Sequence, residues 1–237
     1  MSKIIACHQP NFLPYLGFFD KMKQCDIFVI RDEVLYVKKE YHNRNRIRIN
    51  GNDISNPQFK WLNVPVFEIN DYIKHIKIKK DFCFKKKIWN EALLNEIKSA
   101  YQGSEYFDYF FPEIESIFNN TYGRLIDLNM RIINFLKDIF EIKCEIVMAS
   151  ELGLKPEYFC DGGDASEDLA NICLKLGGDV YLSGSGGRDY LNLEAFDKKR
   201  IEVKFQDYKH QVYNQKFPGF VPNMSAIDSL FCVGGMA

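Results

Sequence analysis

Residues 4–34 read "IIACHQPNFLPYLGFFDKMKQCDIFVIRDEV", and this stretch decides the fold. Lys3–Cys7 and Asp26–Ile30 are short, nearly continuous apolar runs, the pattern of strands covered on both faces. Leu16–Gln24 between them predicts a helix, with Leu16, Phe19 and Met22 on one side and Asp20, Lys21 and Lys23 on the other. Strand, short helix and strand in this order make a right-handed βαβ unit with parallel strands. Ligands of open parallel sheets sit beyond the carboxyl ends of the strands. That places His8-Gln9-Pro10-Asn11 and Arg31-Asp32-Glu33 at two such ends.

Working outward, Asn43–Ile49 alternates as a hairpin arm, Asn50-Gly51 supplies a turn with positive backbone angles, and "FKWLNVPVF" (59–67) is its partner. A strand is expected over His75–Ile78. Helical spacing covers Lys86–Ala100, Tyr106–Asn119 and Leu125–Phe140, which together predict a helical lobe. Strands return at Glu145–Met148, Asp179–Leu182 and Ile201–Phe205. A helix capped by Ser166 and closed by Gly177-Gly178 lies between the first two, and a last helix begins near Ser225. The expected architecture is α/β, with a Rossmann-like parallel sheet, a helical lobe and a β-hairpin arm. It is expected as a single domain whose α/β core spans about 1–50 and 141–237, with hairpin and helices over about 51–140.

Composition narrows the function classes. The chain has 237 residues, and 46% apolar residues with 20 Phe and 13 Tyr supply a large core, which excludes a disordered chain. A net charge of −1 provides no global field for DNA, so an anionic ligand must be met by a local cluster. No run approaches the roughly 18 apolar residues of a membrane span, and Met1-Ser2-Lys3 leads directly into a strand, so a cytoplasmic protein without membrane insertion is expected. Seven cysteines without a C-x-x-C pair point to free, mostly buried thiols. No His, Cys, Asp or Glu cluster has metal-ligand spacing, so no tightly held metal is expected. The aromatic content would permit an interface between copies of the chain.

Three strand ends carry the chemistry. "SGSGG" (183–187) can present amides and hydroxyls to a phosphate, with Arg188 adding a bidentate contact, although a Gly-Ser connector has the same composition. His8 is suited to act as a base or to orient substrate; a histidine tied to backbone at a turn would serve structure instead. Cys7 and His8 are adjacent strand residues facing opposite sides, which argues against a dyad. On the arm, alternation puts His42, Arg44 and Arg46 on one face, fit for a diphosphate or simply for a charged edge strand. His210, Tyr213 and Gln215 in "DYKHQVYNQ" form a polar and aromatic set suited to sugar or base recognition, or a surface loop.

The opening segment, "NRNRI", "WLNVPV", "GGDVYLSGSGGRDYL" and "FVPNMSAIDSLF", in that order, resemble the WbqC-like protein family over nearly the whole chain. The resemblance implies a place in bacterial surface-glycan (O-antigen) biosynthesis, with glycine or aminoacyl transfer suggested for some members. One departure is local: where members often carry a basic residue and a threonine, this chain has Cys160–Ser166. At the level of fold, the layout also resembles nucleotidylyltransferases. His8 stands for one histidine of an early H-x-G-H signature, and Ser183, Ser185 and Arg188 for a late Ser/Arg signature, but the G-H half is missing.

The expectation is a transferase that acylates, by glycine or another aminoacyl or acyl group, the amino group of a nucleotide-linked amino sugar. Catalytic roles fall to His8, Asn11, Asp32 and Glu33. Substrate binding falls to Gln9, Tyr15, Arg44, Asn45, Arg46, Ser183, Gly184, Ser185, Gly186, Arg188, Tyr190, His210 and Tyr213. No tightly bound cofactor is expected; ATP with Mg²⁺, or an acyl or aminoacyl donor with tRNA among the carriers, would enter as co-substrate. The alternatives are an ATP-dependent nucleotidyl or adenylyl transferase on the same scaffold and a non-catalytic nucleotide-sugar-binding subunit.

Overall fold

The computed structural model describes residues 2–50, 58–67, 70–154 and 165–237. Its strands are β1 (Ile4–His8), β2 (Ile27–Ile30), β3 (Arg44–Arg48), β4 (Phe59–Asn63), β5 (Cys83–Phe84), β6 (Lys87–Ile88), β7 (Glu145–Met148), β8 (Val180–Ser183) and β9 (Glu202–Phe205). Its helices are α1 (Leu16–Lys23), α2 (Trp89–Tyr101), α3 (Phe107–Asn119), α4 (Leu125–Ile139), α5 (Ala165–Lys175), α6 (Leu193–Asp197) and α7 (Ala226–Val233). Two compact units divide the chain: Met1–Pro10, Phe18–Val34 and Ile142–Lys209 form one; Asn11–Gly17, Leu35–Glu141 and His210–Ala237 form the other.

In the first unit, five strands form one sheet in the order β7-β2-β1-β8-β9, every neighbouring pair parallel. The chain runs outward from β1 through β2 to β7, then resumes on the other side of β1 with β8 and β9. This is a Rossmann-like α/β arrangement, and the reversal between β1 and β8 is the topological switch point where ligands of such sheets bind. Ile5, Cys7, Ile27, Val29 and Tyr181 pack with Leu169 and Ile172 of α5 and Phe196 of α6. His8 projects to the opposite face, its ring edge-on to Phe18 at 4.8 Å and parallel to Phe28 at 6.4 Å. Strand alternation thus separates Cys7 from His8, as expected.

The second unit packs α2 against α3, and α3 against both α4 and α7, with Phe231 of α7 between Tyr101 and Phe107, each 5.2 Å away. Its β3–β4 pair is antiparallel with Arg46 opposite Trp61. Ser225 caps α7 by accepting the Ile227 amide.

Several local expectations need correction. Lys21 does not share the solvent side of α1; it is 4% exposed, because this short helix is covered around most of its circumference, with Phe18, Phe19 and Met22 all at 0%. Residues 73–75 form a 3-10 turn rather than the start of a strand, and Lys77 and Ile78 contribute single bridges. α2 starts at Trp89, since Cys83–Ile88 fold into the β5–β6 hairpin first. Ser166 lies inside α5, where its hydroxyl accepts the Asn192 amide instead of capping the helix. His42 precedes β3 and is buried, so it does not line up with Arg44 and Arg46. Gly51 of the arm's turn and most of the departure at Cys160–Ser166 lie outside the described residues. Cys7, Cys25, Cys144, Cys173 and Cys232 are buried thiols and Cys83 an exposed one, none of them in a disulfide. Among the described residues no helix is long and apolar enough to cross a membrane.

Candidate functional site

The carboxyl edge of the parallel sheet brings together His8 and Gln9 at the end of β1, Arg31, Asp32 and Glu33 after β2, and Ser183–Arg188 at the end of β8 and beyond. Three adjacent strands end there side by side. His8 is the last residue of β1, and its Nδ1 is 2.9 Å from the carbonyl of Gln9. A carbonyl only accepts, so Nδ1 carries a proton in this contact, and Nε2 is the nitrogen a base would use when the ring is neutral.

The two acids after β2 are occupied differently. Asp32 is buried, its Oδ1 accepting the Ser150 amide at 3.0 Å and its Oδ2 the Ser150 hydroxyl at 2.7 Å. It therefore holds the segment after β7 against the end of β2. Glu33 is buried beside Arg31, whose Nε donates to Glu33 Oε1, while Arg31 Nη2 stands 3.9 Å from Asp168. Burial raises the Glu33 carboxyl above the usual range against the pull of Arg31, and its Oε2 has no hydrogen-bond partner. Arg31, Glu33, Asp168 and Asn171 line a cavity of about 30 Å³. That volume holds water and is too small for a sugar.

After β8, Ser185–Asp189 form a 3-10 turn. The Gly187 amide donates to the Gly184 carbonyl at 3.0 Å, so it serves the turn. Ser185 and Gly186 open the turn, where amides have no carbonyl of their own helix to bind. A side chain at Gly187 would put Cβ 2.0 Å from Ser183 Oγ and 3.1 Å from Leu191 Cδ1, so glycine lets the turn close over these side chains without moving them. Arg188 is exposed and lies over the Phe205 ring at 4.5 Å; Tyr190, two residues on, is 64% exposed.

Two further residues of this unit carried no sequence signal. Gln206 donates to Asp20 at 2.6 Å and its amide binds the Ser183 carbonyl at 2.8 Å, which fixes β9 to the base of the turn. Lys21 reaches the Cys7 carbonyl at 2.8 Å, and burial lowers its ammonium to about 8. Cys7 itself is pushed up to about 11 by burial, so at neutral pH it is a thiol and no nucleophile.

The remaining expected residues belong to the second unit. Asn11 is 7% exposed. Asn45 donates to the carbonyls of Phe12 and Leu13 at 3.1 and 2.7 Å and accepts the Arg46 amide at 2.8 Å, so its amide group holds the loop containing Leu13, whose φ is +45°. Tyr15 packs on Gly17, and its ring centroid is 6.2 Å from that of His210. His210 Nε2 is 2.7 Å from Asn223 Oδ1. Arg44 stacks on Trp61 at 4.2 Å and Arg46 on Phe59 at 4.8 Å, so this face of β3 and β4 is a ladder of guanidinium and aromatic groups. Tyr213 faces inward: its hydroxyl donates to Asp228 Oδ2 at 2.6 Å, and burial raises it far above the ordinary phenol range. His42 is held near 4 by burial and stays neutral at physiological pH.

The WbqC-like protein family matches residues 9–237. A relative, described as the uncharacterized protein Rv1507c of Mycobacterium tuberculosis, is 29% identical over 237 residues, covering 99% of this chain and 96% of the relative. With a match from the residue after His8 to the last residue, the chain belongs to the WbqC-like protein family.

Proposed function

We propose that the protein is a transferase of bacterial surface-polysaccharide (O-antigen) biosynthesis that acylates the amino group of a nucleotide-linked amino sugar, glycine or another aminoacyl group being the group moved. The observation that carries this reading is His8, a histidine with its Nδ1–H on the Gln9 carbonyl at the end of β1, beside the switch point. The sugar amine attacks the carbonyl carbon of an ester or thioester donor and a C–N bond forms. His8 Nε2 takes the proton lost by the nitrogen. Collapse of the tetrahedral intermediate breaks the bond to the donor's leaving group, which departs with the proton returned by the imidazolium. The amides of Ser185 and Gly186, with Arg188, supply positive potential for the oxyanion or the nucleotide's phosphates.

A second reading, adenylyl or nucleotidyl transfer, is favoured by the all-parallel sheet with His8 ending its first strand, Ser183 ending β8, and Ser185 and Arg188 in the turn that follows. There the substrate oxygen attacks the α-phosphorus of ATP and pyrophosphate leaves.

One experiment separates the two. The purified protein is incubated with nucleotide-linked amino sugars, ATP, Mg²⁺, amino acids and acyl-CoAs, and the sugars are weighed by mass spectrometry. A gain of one acyl or aminoacyl residue is the expected outcome. No acyl gain, together with pyrophosphate-dependent label exchange into ATP, would replace the first reading by the second.

A further inference from the structure

Residues 79–88 read "KKDFCFKKKI": five lysines and one aspartate around Phe82, Phe84 and Ile88, in a chain whose net charge is −1. They build the β5–β6 hairpin, in which Cys83 pairs with Ile88 and Phe84 with Lys87 across a two-residue turn, Lys85-Lys86. The Trp89 amide donates to the Phe82 carbonyl at 2.9 Å and ties the foot of the hairpin to the start of α2, so the ribbon is held at its base. Every residue from 81 to 88 is exposed, with Phe82 at 41%, Phe84 at 38% and Ile88 at 50%. Exposed apolar side chains are ordinary when scattered; three on one short ribbon are not.

Paired residues share a face of a ribbon, and neighbours along a strand do not. Phe84 therefore stands on one face, with the Phe82 ring 4.9 Å away, and Ile88 stands on the other with Cys83. A protein core covers one face of such a ribbon. Here each face carries apolar groups and both are exposed. The turn adds charge against backbone preference, since Lys85 and Lys86 have φ of +45° and +71°, in the positions that Asn-Gly normally fills. Strain of this kind clusters at functional segments. Lys79 and Lys80 stand at the foot of the hairpin, where the Phe82 amide donates to the Lys79 carbonyl at 3.1 Å. Lys87 pairs with Glu91 at 3.6 Å, both side chains half exposed or more, and surface pairs of that kind yield readily to another anion.

We propose that the β5–β6 hairpin docks the protein on an anionic lipid surface: Phe82, Phe84 and Ile88 enter the boundary between headgroups and acyl chains, and Lys79, Lys80, Lys85, Lys86 and Lys87 meet the lipid phosphates. A lipid interface surrounds a ribbon and satisfies both of its faces at once, whereas a folded partner covers one. A nucleic-acid strand needs flat ring faces on which bases stack. The Phe82 and Phe84 rings instead meet edge to face at 71°, and Ile88 has no ring. The attachment is peripheral, since two-residue strands are far too short to cross a bilayer. Docking of this kind is independent of the reaction at the sheet edge.

Vesicle flotation tests this without any turnover, comparing phosphatidylcholine alone with phosphatidylcholine containing one-third phosphatidylglycerol. Phe82→Ser/Phe84→Ser removes the rings. Lys85→Asn/Lys86→Gly removes two charges while giving the turn the residues its backbone prefers, so the hairpin is kept. Tyr109→Ser, which removes a 78% exposed ring from α3, is the control. The expected result is binding to the phosphatidylglycerol vesicles that falls as salt rises from about 0.1 M to 1 M. It weakens roughly tenfold or more in each hairpin variant and is unchanged in Tyr109→Ser. No binding, equal binding to the two vesicle types, or wild-type binding by Lys85→Asn/Lys86→Gly would overturn the proposal. So would self-association in sedimentation that needs Phe82 and Phe84 and occurs in place of vesicle binding, which would assign the hairpin to a second copy of the chain.

Discussion

Two buried polar regions of this protein, one in each unit, use similar residues in opposite ways. Around Asp228 in the second unit, Oδ1 accepts from Tyr101 at 2.8 Å, and Oδ2 accepts from Tyr213 at 2.6 Å and Gln215 at 2.9 Å. Arg48 is fully buried nearby, donating to the carbonyls of Ile49, Gln58 and Pro218 at 2.7 Å each. At the sheet edge of the first unit, Glu33 keeps an oxygen without a hydrogen bond, and the turn after β8 starts with exposed residues. Apart from Arg48 Nε, the donors and acceptors described around Asp228 are matched, and a network so nearly satisfied specifies structure. Polar groups left over at a switch point are the ones chemistry can use.

The comparison breaks if the Asp228 region tolerates change. Asp228→Ala leaves two phenols and an amide without their acceptor and removes the acid facing Arg48, so a loss of about 3–5 kcal/mol in urea unfolding is expected. Near-wild-type stability would mean that this network does not hold the unit together.

Lys21 sharpens the contrast, because it is a buried charge in the first unit. Its ammonium falls from 10.5 to about 8 on burial. The folded state therefore releases this proton before the unfolded chain does, and its contribution to stability rises with pH from about 8 to 10.5, by about 3 kcal/mol. At neutral pH the retained charge is a cost comparable to what one buried Phe contributes. Lys21→Met should be more stable than wild type at pH 7, and the gap should narrow toward pH 10.5, as measured by paired denaturation curves. A gap that is constant with pH would show that Lys21 is not a destabilising cation.

Gly187→Ala tests the turn. With Cβ 2.0 Å from Ser183 Oγ either that hydroxyl or the turn must move, at a cost of about 1–3 kcal/mol, and nucleotide-sugar affinity should fall where the turn moves. The smallest effect belongs to Arg188→Ala: stability within about 0.5 kcal/mol of wild type, as for other surface changes, and nucleotide-sugar affinity about tenfold weaker by calorimetry. If stability falls and affinity does not, the guanidinium serves Phe205 rather than a ligand.

The sheet was legible because covered strands leave near-continuous apolar runs, as β1, β2 and β8 do, and half-buried β7 keeps Ile146, Val147 and Met148 together, so these strands and their polar endings could be placed from local sequence. The β5–β6 hairpin was not, since Cys83–Ile88 has neither alternation over a useful length nor a glycine in its turn. Lys21 was misplaced because helical periodicity assumes one solvent face, and α1 has almost none. Tyr213 and His42 looked available for ligands because sequence shows that a group is polar but not whether it is already paired. Their partners and environments come from residues far along the chain, as Asp228 and Tyr101, 127 positions apart, illustrate. The position of His8 was legible for the complementary reason: it follows from the end of its own strand.

The account stands most directly on His8, and the decisive measurement compares turnover and nucleotide-sugar affinity in His8→Asn with wild type. A base at the switch point predicts that turnover falls about 10²–10⁴-fold while affinity changes by no more than a few fold. Equal losses in turnover and affinity, or unchanged turnover, would contradict it.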